Sequence, residues 1–190
     1  MQPFGDLITA FIQDQTVTRY QTFDDVFAYC RYSANPVGRL VLYLCGYSDQ
    51  ARQLLSDAVC TALQLTNFWQ DITVDLGKKR IYLPLEAMAR HGYTVNDLTQ
   101  RRFNPQFQAV MSEAVWYTRD LFAAGAALPG MVDRRLALDI ELFRRGGLRV
   151  LDQIETQGYN VLERRPAVSK TARAWLLLRT LASLAFSKAA

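Results

Sequence analysis

The stretch QLTNFWQDITVDLGKKRIYLP, residues 64–84, places an amide and two carboxylates four residues apart, Asn67, Asp71 and Asp75, and then turns basic at Lys78, Lys79 and Arg80. At about 100° and about 1.5 Å per residue, each step of four advances a helical side chain by about 40° and about 6 Å, so the three form one shallow stripe. Gln64 falls in the same sector. Leu65, Trp69, Ile72 and Leu76 gather on another side and make the main core face, and Gly77 closes the helix. Cys60, Leu63 and Phe68 flank the carboxylates, while Thr66, Gln70 and Thr73 form a separate uncharged polar stripe. A helix that is apolar on nearly all sides belongs at the centre of a bundle.

Carboxylates on such a helix are costly unless a cation or a base compensates them. Two hard carboxylate oxygens and an amide carbonyl suit Mg²⁺, which keeps waters and takes the phosphates of a substrate for its remaining ligands. Lys78, Lys79 and Arg80, immediately downstream, are placed to meet the same phosphates. On spacing alone the stripe also suits a solvated helix face, because D-x-x-x-D arises often by chance, and both readings stand at this point.

Working outward, apolar residues recur at helical spacing almost throughout, with no sustained alternation of period two, so the chain reads as all-α. Helices are predicted over about 6–18, about 22–45 with an interruption at Asn35-Pro36, and about 48–76. RIYLP is a short extended link, LEAMARHG a short helix, and YTVNDLTQ a turn with another short helical piece. Two long helices follow, from about Pro105 to Ala127 and from about Asp133 to Gln157, parted by Pro129-Gly130. A last helix begins near Ser169. Nothing marks a domain boundary, and the 190 residues read as a single domain, 1–190.

Half the residues are hydrophobic, enough for one sizeable core, and the net charge is +4, which favours anionic partners. No zinc-finger, homeodomain-like or aromatic RNA-binding signature accompanies the basic pairs, so no nucleic-acid partner is expected and a phosphorylated small molecule fits better. Cys30, Cys45 and Cys60 lie in apolar helical surroundings without pairing signals and read as buried thiols of a cytoplasmic protein. No spanning segment is expected. The tail SKTARAWLLLRTLASLAFSKAA reads either as a terminal helix on its own core or as an amphipathic helix in peripheral contact with a membrane.

LQLTNFWQDITVDLGKKRIYLP resembles the second aspartate-rich motif of the squalene/phytoene synthase family. Upstream, DLITAFIQDQTVTRYQTFDDVFAYCRYSANPVGRLVLYLCG is similar to that family's D-x-x-x-x-R-Y segment and its Y-C-x-x-x-A-x-x-V-G helix. SANPVGRLVLYL, NFWQD and RRGGLRVLDQIETQGYNVL most resemble the branch that forms hydroxysqualene in bacterial hopanoid synthesis. Gln70 departs from the phytoene synthase pattern, in which an arginine commonly precedes the first aspartate.

The resemblance implies an isoprenoid-synthase-type helical bundle around a long apolar cavity. It implies ionisation of presqualene diphosphate and capture of the cation by water, with Mg²⁺ as cofactor and no NADPH. Asn67, Asp71 and Asp75 would hold the metal. Tyr29 would stand near the cation or leaving group with Gln64, Arg19 and Arg80 would hold diphosphate oxygens, and Tyr20 and Tyr82 would be wall or hydrogen-bonding residues. The runner-up is head-to-head condensation of two prenyl diphosphates such as farnesyl diphosphate.

The family's first aspartate-rich helix has no match before Asp6, and Asp24-Asp25 falls in the wrong place for it. The expectation is therefore a bundle lacking its N-terminal helices, exposed apolar faces, and no catalysis by this chain alone. A non-catalytic assembly protein on the same fold is the alternative of another class. Retention of Asn67, Asp71, Asp75 and Arg80 argues against it.

Overall fold

The computed structural model describes residues 2–166. Helices α1 (Gln2–Thr16), α2 (Phe23–Ser33), α3 (Asn35–Leu44) and α4 (Gln50–Gln70) come first, followed by the short α5 (Ile72–Gly77), α6 (Leu85–Arg90) and α7 (Val95–Thr99). The long α8 (Pro105–Ala124) and α9 (Arg134–Thr156) follow, with a 3₁₀ turn at Leu128–Met131 between them. The fold is all-α, as the periodicity predicts.

Side-chain caps set most of the starts. Thr22 with Asp25 and Thr94 with Asp97 form capping boxes at α2 and α7. Asp49, Asn104 and Asp133 accept from the first free amides of α4, α8 and α9.

Two predicted helices are split. The predicted interruption at Asn35-Pro36 falls one residue earlier, at Ala34 (φ −114°), because Pro36 lacks an N–H and is tolerated only in the first turn of the new helix. The helix predicted over about 48–76 departs from helical dihedrals at Asp71 (φ −107°, ψ 16°). The hydrogen-bond ladder nevertheless runs through that junction: Asp71 N donates to Asn67 O and Asp75 N to Asp71 O, each at 2.9 Å. The predicted tail helix lies outside the described residues.

Helix α4 is the hub, packed chiefly against α8, α3 and α9. Leu65 and Trp69 are fully buried and Ile72 nearly so, and the Trp69 indole Nε1 donates to Thr118 Oγ1 of α8 at 2.7 Å. Closeness of the packing demands glycine at 125, where a Cβ would come within 2.5 Å of Val59 Cγ2 and 2.9 Å of Leu55 O.

The expected apolar exposure is found on α1 and α3. Phe4, Ile8, Phe11 and Ile12 stand open about one turn apart, and Val37, Val41 and Leu44 do the same on α3. Among the cysteines, Cys30 is buried, with its thiol pushed up to about 12 by desolvation, and Cys60 is mostly enclosed. Cys45 corrects the expectation: it caps the C-terminus of α3 and is exposed, because the chain turns away at Gly46 (φ 83°). No described helix is long and apolar enough to cross a membrane.

The buried Glu141 of α9 accepts from Arg144 at 2.8 and 2.9 Å and from Arg145 at 2.6 Å. Burial pushes its carboxyl up, but the two arginines outweigh burial and hold it below the usual glutamate range. The folded chain therefore binds that proton less readily than the unfolded chain. Its contribution is present above the ordinary value near 4.3 and lost as pH falls through the folded value. Glu141→Gln is expected to lose about 1–3 kcal/mol at pH 7, with the gap to wild type closing at acid pH in urea titrations.

Candidate functional site

The link after α5 is held by main-chain bonds. Ile81 N donates to Thr18 O at 2.9 Å, Leu85 N to Tyr20 O at 3.1 Å and Glu86 N to Gln21 O at 3.0 Å. These bonds lay the predicted basic turn and RIYLP against TRYQ, and so bring Arg80 and Tyr82 beside Tyr20.

Three tyrosines and a phenylalanine then converge. Tyr82 stacks on Phe68 of α4 with centroids 3.6 Å apart, and Tyr20 lies 5.6 Å from Tyr82 and 5.5 Å from Tyr29. All four rings are buried. Burial pushes the phenols of Tyr20, Tyr29 and Tyr82 above the ordinary range, so they remain neutral donors through any physiological pH.

The polar centre of this wall is Asp14, to which sequence reasoning gave no role. Its carboxylate accepts from the Tyr29 hydroxyl at 2.9 Å and pairs with Arg80 at 3.2 Å, while its main-chain oxygen accepts from Arg80 at 2.8 Å. Arg80 also donates to the Tyr82 hydroxyl at 3.1 Å. The signal that held Asp14 was the D-x-x-x-x-R-Y spacing, in which it is the first residue. Unlike its two neighbours, the buried Tyr20 hydroxyl has no hydrogen-bond partner among the described residues.

The carboxylate helix borders this wall. Asp75 lines a small crevice with Phe68, Arg80 and Tyr82. Its carboxyl is raised by desolvation, lowered by Lys78 at 3.6 Å and raised further by the charge of Asp71, with burial prevailing. Asp71 accepts a two-pronged ion pair from Arg165, one arm of it Nη2 to Oδ2 at 3.1 Å. Asn67 is exposed and Gln64 partly so. Arg19 is exposed too, and joins the site through its backbone bridge to Ile81.

The donor set fits a magnesium ion. Asn67, Asp71 and Asp75 can each present oxygen, and a largely buried carboxylate such as Asp75, held above its ordinary range, is one that a cation would relieve. No group of three His, Cys, Asp or Glu side chains gathers for a metal among the described residues, so the amide of Asn67, waters and substrate oxygens would complete the coordination.

An open apolar cleft of about 580 Å³ lies between α3, α4 and α9, lined by Val41, Leu42, Val59, Leu63, Ile140 and Phe143 among others. Gly38 deepens it, since a Cβ there would come within 2.4 Å of Ser56 Oγ and 2.5 Å of Cys60 Sγ. Cys60 and Leu63 line the cleft, and Gln64, Asn67 and Asp71 continue the same sector of α4 towards its C-terminus.

A family model described as squalene/phytoene synthase matches residues 1–172. A hydroxysqualene synthase of Rhodopseudomonas palustris is 35% identical over 154 residues, covering 80% of this chain and 52% of that protein. A phytoene synthase of Thermus thermophilus is 30% identical over 177 residues, 93% of this chain and 60% of that protein. The chain thus spans about half the length of the first of these and under two thirds of the second. Among solved structures, squalene synthase HpnC from Alicyclobacillus acidocaldarius superposes with a TM-score of 0.82 at 43% identity, over 84% of this chain and 60% of that one.

Proposed function

The chain belongs to the squalene/phytoene synthase family, and from that premise we propose that the complete protein turns over a prenyl diphosphate with Mg²⁺, converting presqualene diphosphate and water to hydroxysqualene and diphosphate. The observation that carries this reading is the meeting of Asp14, Tyr29, Arg80 and Tyr82 beside Asp75, just beyond the end of α4, whose own residues line an apolar cleft. It pairs an anion-binding polar patch with room for a hydrocarbon.

In this reading Arg80, oriented by Asp14 and Tyr82, receives diphosphate oxygens, and the exposed Arg19 adds charge at the rim. When bound at Asn67, Asp71 and Asp75, Mg²⁺ supplies Lewis-acid stabilisation of the departing diphosphate. The buried aromatic wall of Tyr20, Phe68 and Tyr82 provides a π-rich border of low dielectric for an allylic or cyclopropylcarbinyl cation and keeps bulk water from it. Tyr29 keeps its proton and donates a hydrogen bond from the hydroxyl to Asp14, which fixes the carboxylate that in turn holds Arg80.

Tyr29→Phe leaves the ring packing intact and removes that donor. It is expected to lower kcat/KM about 10–100-fold while changing unfolding free energy by less than about 1.5 kcal/mol. Steady-state kinetics and urea titration of the same preparation check the pair.

Head-to-head condensation is the second reading, favoured by the likeness to phytoene synthase over 93% of the chain. Mass spectrometry of lipid products separates the two. With Mg²⁺, the complete protein is expected to give hydroxysqualene from presqualene diphosphate and nothing from farnesyl diphosphate. Product from farnesyl diphosphate would select condensation, and no product from either would sink both readings.

A further inference from the structure

The segment after α9 returns to the helix that carries the proposed metal ligands. Gly158 and Tyr159 take left-handed backbone conformations (φ 63° and 65°), and Tyr159 N donates to Ile154 O at 2.8 Å, so α9 stops abruptly and the chain doubles back. Val161, Leu162 and Pro166 are buried and anchor the returning strap. Gln70 Nε2 donates to Pro166 O at 2.5 Å. Between these anchors the Arg165 side chain remains 55% exposed, with Nε and Nη2 donating to Oδ1 and Oδ2 of Asp71.

The guanidinium fork occupies both oxygens of Asp71, and any cation bound there needs at least one of them. Two positive groups at one carboxylate also repel each other. We propose that Arg165 is the resident counter-ion of Asp71: it positions the carboxylate in the metal-free chain, and a divalent cation must displace it to bind. This rests on the metal reading of Asn67, Asp71 and Asp75. Because Arg165 is half exposed, water screens its attraction to Asp71 and rehydrates it on release, and the pair belongs to the modest, exchangeable class rather than the locked buried one.

The test is a titration of the 190-residue chain with Mn²⁺ alone, free Mn²⁺ being read by electron paramagnetic resonance. Arg165→Ala and Arg165→Gln are expected to bind Mn²⁺ about three- to tenfold more tightly than wild type, and Arg165→Lys to lie between. Asp71→Ala is expected to bind at least about tenfold more weakly, and adding Arg165→Ala to it to change nothing further. Equal or weaker binding by Arg165→Ala, with Asp71→Ala still impaired, would overturn the counter-ion role and leave the metal reading standing. Asp71→Ala binding like wild type, or no binding by any variant, would overturn the metal reading and the counter-ion role with it.

Discussion

Asp75→Ala is expected to lower kcat/KM of the complete protein at least about 10³-fold, equivalent to about 4 kcal/mol of transition-state stabilisation, without lowering its thermal stability. The two halves have one cause. The Asp75 carboxyl is largely buried, and desolvation, aided by the charge of Asp71 and opposed by Lys78, raises it above the ordinary range. A raised folded-state value means the folded chain binds this proton more readily than the unfolded one. The resulting cost is absent below the ordinary carboxylate range and fully present once pH exceeds the raised value. At pH 7 the metal-free fold therefore carries a charge it is better off without, and alanine removes that charge. Kinetics and calorimetry of one preparation give both readouts, and retained activity would remove Asp75 from the site.

Trp69→Ala is expected to lose about 3–5 kcal/mol of unfolding free energy. The indole is fully enclosed on the hub helix, meets Phe68 at a ring-centroid distance of 6.5 Å, and ties α4 to α8 through Thr118. Thr118 retains its own bond to Ala114 O at 2.8 Å, so the loss is mainly one of packing. Trp69→Phe, which refills most of the volume, is expected to cost about half as much. Urea titration at 25 °C measures both, and a loss under about 1 kcal/mol for the alanine variant would show that α4 is not the hub the packing makes it.

The fold was legible because local signals agreed with one another. Apolar residues at helical spacing, with breaks read at Asn35-Pro36, Gly77 and Pro129-Gly130, pointed to helices of nearly the observed lengths, and the structure adds side-chain caps at Thr22, Asp49, Asn104 and Asp133. The dihedral break at Asp71 left no trace, since aspartate is no helix breaker and the main-chain bonds continue across it. Cys45 misled because an apolar neighbourhood in sequence does not tell which side of a helix end faces water.

The candidate site was legible to the extent that its residues share an element or a motif. Asn67, Asp71 and Asp75 were singled out as candidates by one-turn spacing, Arg80 by the basic run that follows them, and Tyr20, Tyr29 and Tyr82 by family motif. Asp14 was passed over because a carboxylate near the end of an amphipathic helix looks like surface, and its partners stand 15 and 66 residues away. Arg165 lies 94 residues from Asp71, and periodicity carries no information over such a span.

The most direct test of the account is turnover of presqualene diphosphate by the complete protein with Mg²⁺ in ¹⁸O-water, followed by mass spectrometry of both products. Ionisation breaks the carbon–oxygen bond, so ¹⁸O is expected in the hydroxyl of hydroxysqualene and none in the released diphosphate. Label in the diphosphate, with an unlabelled alcohol, would mean attack at phosphorus and would contradict the account.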